Sequence, residues 1–400
     1  AVSAWMSQFT EVAMDVTPDV KAKAEALTAG AATEWEKIRA IAAYAQQVNY
    51  VSVQMNLTKG GGYTPNPAGK VLTRNYGDCK DKAGLMRALL KAVGIESYDV
   101  SIYAGDRNYV RAEWPSPQPF NHAIVAVKVS AETKAPTVLD HPKLGRLLFF
   151  DPTDSVTPLG DLPEEEQGSR ALVTAGDIGD LVTVPRVGAE ANRVERTVDA
   201  EAFLEGNARA RMVTRYYGQA GTGWRHAAKN SDDTELRKRM ERGLSRRVGG
   251  VKVGEVKVSG GASEPWVETA VEFEAARLGQ MLQGRLLTLA PGQLAPGTEF
   301  VFPARERKQP VQLPATIRRD VVRVRVPEGL VVDEMPDVIQ TDGAYGKFRA
   351  EWRAEPGLIV LDQRLEVKDT TAPAKEYDAV RAFFDQVIGA QSSAVVLVKK

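Results

Sequence analysis

The sequence predicts an α+β protein in two parts: a core over residues 1–185, then a β-sandwich-like region over residues 186–400 with inserted and terminal helices. Three observations support this reading. Up to residue 93 the apolar residues recur at helical spacings; from 98 to 150 they form short β-rich runs; beyond Glu190, valine-rich alternation broken by Pro and Gly prevails. A chain of 400 residues also exceeds what one hydrophobic core usually organises.

Residues 19–48 read as helical, with Trp35, Ile38, Ile41, Ala42 and Ala45 near the helical period. A short apolar run, Tyr50-Val51-Ser52-Val53, follows. Gly60-Gly61-Gly62-Tyr63-Thr64-Pro65-Asn66-Pro67 combines three glycines with two prolines and is loop, leading to a short helix over 68–73. The next helix is predicted over 79–93 and stops at Gly94, a residue suited to the left-handed position that ends helices. Its Leu85, Met86, Leu89, Leu90 and Val93 make one broad apolar face, which requires a packing partner.

Strands are expected at 98–103, 122–129 and 147–150. Between the first two, Trp114-Pro115-Ser116-Pro117-Gln118-Pro119-Phe120 resists regular structure, because its prolines remove backbone donors and fix φ. This segment is the expected rim of a cleft. In the second region, strands are expected at 193–198, 208–217, 251–258, 266–275, 320–326, 345–354 and 358–367, with helices at 232–247 and 374–388.

Lys+Arg and Asp+Glu both number 52, and no basic patch is interleaved with aromatics, so nucleic acid is not an expected partner. The runs Glu164-Glu165-Glu166 and Arg237-Lys238-Arg239 read as solvated faces. A single cysteine excludes an intrachain disulfide and a thiolate-rich metal centre. The three histidines form no His-x-x-x-His or Glu-x-x-His pair, and no loop carries a dense string of acidic ligands, so neither a metal nor a cofactor is expected. His141 and His226 read as surface residues. Gly60-Gly61-Gly62 lacks the spacing and lysine of a phosphate-binding loop. No 18-residue apolar span is present, and Ala1-Val2-Ser3-Ala4-Trp5 lacks the regions of a signal peptide.

The single cysteine carries the chemistry. Cys79 lies in Asn75-Tyr76-Gly77-Asp78-Cys79-Lys80-Asp81-Lys82, where a glycine-containing turn enters a helix, and the positive end of a helix dipole favours thiolate character. His122 opens a predicted strand 43 residues later, and Asp151 closes another 29 residues beyond that. Adjacent strands can bring both to the Cys79 helix, giving a nucleophile, a proton carrier and an orienting carboxylate. Asp154 is the alternative to Asp151. Asp78 and Asp81 read as helix-start residues bonded to free backbone amides; their charges oppose a thiolate, so a compensating partner such as His122 is required. The Cys79 amide is the first expected oxyanion donor and Gln54 the second. Tyr63, Tyr76, Trp114 and Phe120 are candidates for the lining of a peptide cleft, since aromatic rings give apolar area with few rotamers.

The three blocks Tyr76-Gly77-Asp78-Cys79-Lys80-Asp81-Lys82-Ala83, Phe120-Asn121-His122-Ala123 and Phe150-Asp151-Pro152-Thr153 resemble the bacterial transglutaminase-like superfamily, which shares the papain-like cysteine-protease arrangement. The resemblance covers about residues 20–185 and places Cys79, His122 and Asp151 at the family's nucleophile, histidine and aspartate. It is closest to a subgroup whose core is flanked by β-rich domains of poorly known function. The N-terminal β-domain of that subgroup is missing, unless residues 1–17 are its remnant, so the chain looks like a fragment or processed form.

What the resemblance implies is a thiol-dependent hydrolase acting on a peptide or carboxamide bond of a protein or peptide substrate. Acyl transfer to an amine is the second reading, and a non-catalytic envelope binding or assembly protein the third. The same resemblance favours a periplasmic or envelope location, with the cytoplasm as the alternative, and an envelope partner for the β-rich region.

Overall fold

The computed structural model describes every residue except 12, 53–61, 262–263, 296–299 and 400. These form two compact units: residues 1–187 with 261–265, and residues 188–260 with 266–400. Among the described residues no helix is long and apolar enough to cross a membrane.

In the first unit, the opening residues fold as helix α1 (Val2–Thr10) rather than as strand. The region expected to be helical, 19–48, folds as two helices, α2 (Pro18–Thr28) and α3 (Glu34–Gln47). Local chemistry explains the break. Thr17 caps α2 with Pro18 at its first position, while Thr33 and Glu36 form a reciprocal capping box that restarts the chain as α3. Strand β1 (Asn49–Tyr50) then lies parallel to β2 (Tyr76–Gly77), with α4 (Ala68–Arg74) between them. Asn75 ends α4 in the left-handed region at φ 53° and turns the chain into β2.

Helix α5 (Cys79–Ala92) follows, and Gly94, at φ 77°, closes its C-terminal turn. Each residue at its start has an identifiable task. The Asp78 carboxylate accepts from the Asp81 amide at 3.2 Å and the Asp81 carboxylate from the Asp78 amide at 3.4 Å, which is a capping box. Lys80 forms an ion pair with Asp78. Asp81 also accepts from the backbone amide of Asn66 at 2.7 Å and its side chain at 3.0 Å, tying the proline loop to the helix. The buried Lys82 ammonium donates to the carbonyls of Gln46 at 3.3 Å and Val48 at 2.7 Å, so it satisfies acceptors left over at the end of α3. Gly77 packs so closely that an added Cβ would lie 2.5 Å from that of Asp81.

The remainder of the unit is a six-stranded antiparallel sheet in the order β5 (Val138–His141), β6 (Gly145–Phe150), β4 (His122–Lys128), β3 (Ser97–Ile102), β7 (Arg170–Thr174), β8 (Leu181–Thr183). Alternation sends Val125, Val127, Leu148 and Phe150 to one face, where Leu85, Met86, Leu89 and Leu90 of α5 pack on them. Each such fully buried side chain contributes roughly 2 kcal/mol relative to exposure. Ile124, Ala126, Leu147 and Phe149 point to the other face, covered by Leu162 of the segment that follows β6. Strands β5, β7 and β8 are short and carried no clear alternation in the sequence.

The second unit holds an eight-stranded sheet and a four-stranded sheet that share one hydrophobic core with helix α8, so sandwich-like describes it. Its strands on the larger sheet include β9 (Arg193–Ala202), β10 (Ala208–Tyr217), β11 (Gly249–Gly260), β12 (Trp266–Arg277), β13 (Thr316–Arg325) and β14 (Leu358–Val367). Among the described residues its strand pairs are antiparallel except β9 with β13. The expected helices occur as α7 (Asp233–Ser245) and α8 (Tyr377–Gln391), and a further helix, α6 (Thr222–Asn230), precedes them. Across the larger sheet, Arg196 pairs with Asp320 at 2.8 Å, and Gln363 donates to the same carboxylate at 2.8 Å.

The Gly77 packing gives a direct expectation. Gly77→Ala should lower stability by about 1–3 kcal/mol through overpacking against the α5 cap, read as a lower urea midpoint with an unchanged m-value; an unchanged midpoint would show that the cap is not tightly constrained there.

Candidate active site

The β4–β6 register places the histidine beside the carboxylate. Val125 pairs with Phe150, so one step further Asp151 falls opposite Ile124, on the same sheet face as His122 and diagonal to it. His122 Nε2 lies 3.2 Å from Asp151 Oδ2. Its neighbour Asn121 closes the preceding loop: the Asn121 side chain accepts from the Ala104 amide at 2.8 Å and donates to the Ala104 carbonyl at 3.0 Å. Asp151 accepts from the Thr153 amide at 2.7 Å through its other oxygen, which fixes the carboxylate plane. The Cys79 side chain adjoins His122 and raises the proton affinity of its ring. With Nε2 facing Asp151, Nδ1 is the ring nitrogen left for another partner.

A fourth residue completes the group. Glu166 is 1% exposed, and its Oε1 lies 3.5 Å from His122 Nε2. The sequence had suggested a solvated acidic run here. Glu164 and Glu165 are indeed exposed, but the turn between β6 and β7 rotates Glu166 inward. Three consecutive identical residues offer no periodicity from which one could be singled out; the flanking Leu162-Pro163 was the only local hint.

These groups perturb one another strongly. Burial, the largest effect on His122, disfavours its charge, yet the Asp151 hydrogen bond, the Cys79 side chain and the charges of Asp151 and Glu166 outweigh it and push the imidazole up to about 11. Burial likewise favours a neutral Asp151, but the hydrogen bond and charge of His122, then the Thr153 amide and Glu166, hold that carboxyl below its usual range. Glu166 moves the other way: burial and the adjacent Asp151 charge raise it well above an ordinary glutamate. For His122, the folded value exceeds the unfolded 6.5, so its contribution to stability is fully present below pH 6.5 and is lost as pH rises through about 11.

The other sequence candidates have separate surroundings. Asp154 bonds the Val156 and Thr157 amides and is an ordinary turn residue. Gln54 lies outside the described residues. Tyr63 packs edge-on against Trp5 at 5.5 Å, Tyr76 lies under Arg74 at 5.0 Å, Trp114 is 71% exposed beside Arg111, and Phe120 is half-buried. His226 is exposed, but His141 is buried, contrary to the surface reading, because its Nδ1 accepts from the amides of Lys143 and Leu144 in the β5–β6 turn. Among the described residues, His122, Asp151 and Glu166 also form the one cluster of potential metal ligands, with one ligand atom each within 4.8 Å of the others. A cation there would have to break the His122–Asp151 contact.

Residues 21–134 match the transglutaminase-like superfamily, and residues 285–397 match DUF3858, a domain of unknown function with a solved structure. The transglutaminase-like match thus lies within the N-terminal unit. The matched segment contains Cys79 and His122 and ends before Asp151. Among solved structures, a candidate protease from Parabacteroides distasonis is 12% identical with a TM-score of 0.58; the match covers 99% of this chain and 58% of that one, so this chain spans little more than half of that protein's length. At this identity the likeness establishes the fold. A candidate cysteine protease from Cytophaga hutchinsonii is 18% identical over 41% of this chain and 46% of that one, with a TM-score of 0.25. No curated protein matches the sequence.

The Asp151 hydrogen bond is the strongest effect raising His122. Ring nitrogen NMR at about pH 9 should therefore find an imidazolium in the wild type and a neutral ring in Asp151→Asn. A neutral ring in both would contradict this electrostatic description.

Proposed function

We propose that the chain is a thiol-dependent hydrolase that cleaves a peptide or carboxamide bond through Cys79, His122 and Asp151. The observation that carries this reading is the position of His122, bonded to Asp151 and adjoined by the only cysteine. The Cys79 proton already resides on His122, an imidazolium in the resting site, and the sulfur attacks the substrate carbonyl as the thiolate of that pair. The resulting oxyanion forms beside the first amides of α5, which have no partner within the helix. As the intermediate collapses to a thioester, the imidazolium gives its proton to the leaving amine. Water, deprotonated by His122, then releases the acid and restores the thiolate–imidazolium pair. Asp151 stays ionised throughout and holds the ring.

Asp78 and Asp81 do not block this chemistry, because both are engaged elsewhere. Asp78 is paired with Lys80, and Asp81 is saturated by backbone and Asn66 donors. The transglutaminase-like fold is compatible with a protein or peptide as substrate.

Iodoacetamide should label Cys79 at about pH 6 on the order of 100-fold faster than a model thiol, because an unassisted cysteine is almost wholly protonated there. His122→Ala should abolish the enhancement; a wild-type rate equal to that of the model thiol would refute the reading. A peptide anilide incubated with and without a dilute primary amine then distinguishes the outcomes of the thioester. Free acid as the main product is expected, whereas dominant amide would make the enzyme an acyltransferase.

A further inference from the structure

Two carboxylates converge on one ring nitrogen of His122, and the triad uses only one of them. Asp151 Oδ2 lies 3.2 Å and Glu166 Oε1 3.5 Å from Nε2, and both acids are almost wholly buried. Adjacent buried carboxylates do not both ionise, since each opposes the charge of the other. The surroundings decide which keeps the proton. Asp151 has a second donor in the Thr153 amide. Glu166 Oε2 is buried and meets no donor among the described residues, and the only ion-pair partner of Glu166 among them is His122, which it shares. An ionised Glu166 would leave that oxygen unsatisfied and add a buried negative charge. A protonated one has a hydrogen to give, and an Asp151 carboxylate oxygen within 4.8 Å of one of its own is the acceptor at hand in the same cluster.

We propose that Glu166 is a positioning residue that works as a neutral acid, donating a hydrogen bond to Asp151 and so holding that carboxylate ionised and aligned on His122. The inference rests on the triad reading and adds a member to it. The arrangement also keeps the charges balanced: one carboxylate faces one imidazolium. Glu166 reaches the site because Leu162, fully buried against Ile124 and Phe149, pins the segment after β6 across the sheet face on which His122 and Asp151 lie. The raised proton affinity of Glu166 and lowered affinity of Asp151 agree with this division.

The test uses the full chain with carboxyl-13C-labelled glutamate and aspartate. The Glu166 resonance, assigned by its absence in Glu166→Gln, should sit at the protonated position at neutral pH; an ionised Glu166 at about pH 6 overturns the proposal. The second arm is the pH dependence of Cys79 alkylation. Glu166→Ala removes a hydrogen bond to a charged group, so the acid limb, set by protonation of Asp151, should move up by about 1 pH unit. Glu166→Gln keeps an N–H donor and should keep the limb in place whatever its absolute rate. If Gln moves it as far as Ala, Glu166 acts by charge; if neither moves it, Glu166 is only structural; either result overturns the proposal. Should the Ala variant not fold, the carboxyl resonance of the wild type decides. A wild-type rate no faster than that of a model thiol would instead refute the triad reading, and is thus distinguishable from failure of Glu166 alone.

Discussion

The reciprocal capping of Asp78 and Asp81 at the start of α5 is the constraint on which the site depends. It fixes the point at which the chain becomes helical, and hence the direction in which the Cys79 side chain leaves the backbone. The cap is in turn held from three sides: Gly77 leaves no room for displacement, Asn66 binds Asp81, and Lys82 ties the same turn to the end of α3. The apolar face of α5 anchors the rest of the helix to the sheet. A thiol held this way requires little further ordering to reach its working geometry.

The second requirement is electrostatic. Burying a charged imidazole is costly unless it is paired, and here Asp151 supplies the pairing while Glu166 adjoins both. The two sides of the cluster come from different faces of one sheet architecture. The helix carrying Cys79 packs on one face, and the segment after β6 brings Glu166 over the other. His122, at the first position of β4, lies where the two meet. Strand ends suit this role, because the side chain is anchored by the ladder on one side and unobstructed on the other.

Much of the core was legible because its elements have simple periodicity. The α5 face, the strand alternation around His122 and the turn chemistry of Asp78 all follow from local rules. The break between α2 and α3 was less visible, since the Thr33–Glu36 box sits inside a stretch rich in good helix formers. His141 misled because its Asp-His-Pro setting suggests a loop, whereas two backbone amides draw the ring into the turn. Glu166 was illegible for a different reason. Which of three consecutive glutamates turns inward depends on the long-range anchoring of Leu162, and nothing within the run encodes it.

The central claim is that Cys79 forms a covalent acyl-enzyme. Because the chain has one cysteine, intact-mass spectrometry after brief exposure to p-nitrophenyl acetate tests it most directly. The account predicts one acetyl adduct, mapped to Cys79, released by hydroxylamine and missing from both Cys79→Ala and His122→Ala. An adduct on another residue, or p-nitrophenol release undiminished in Cys79→Ala, would contradict it.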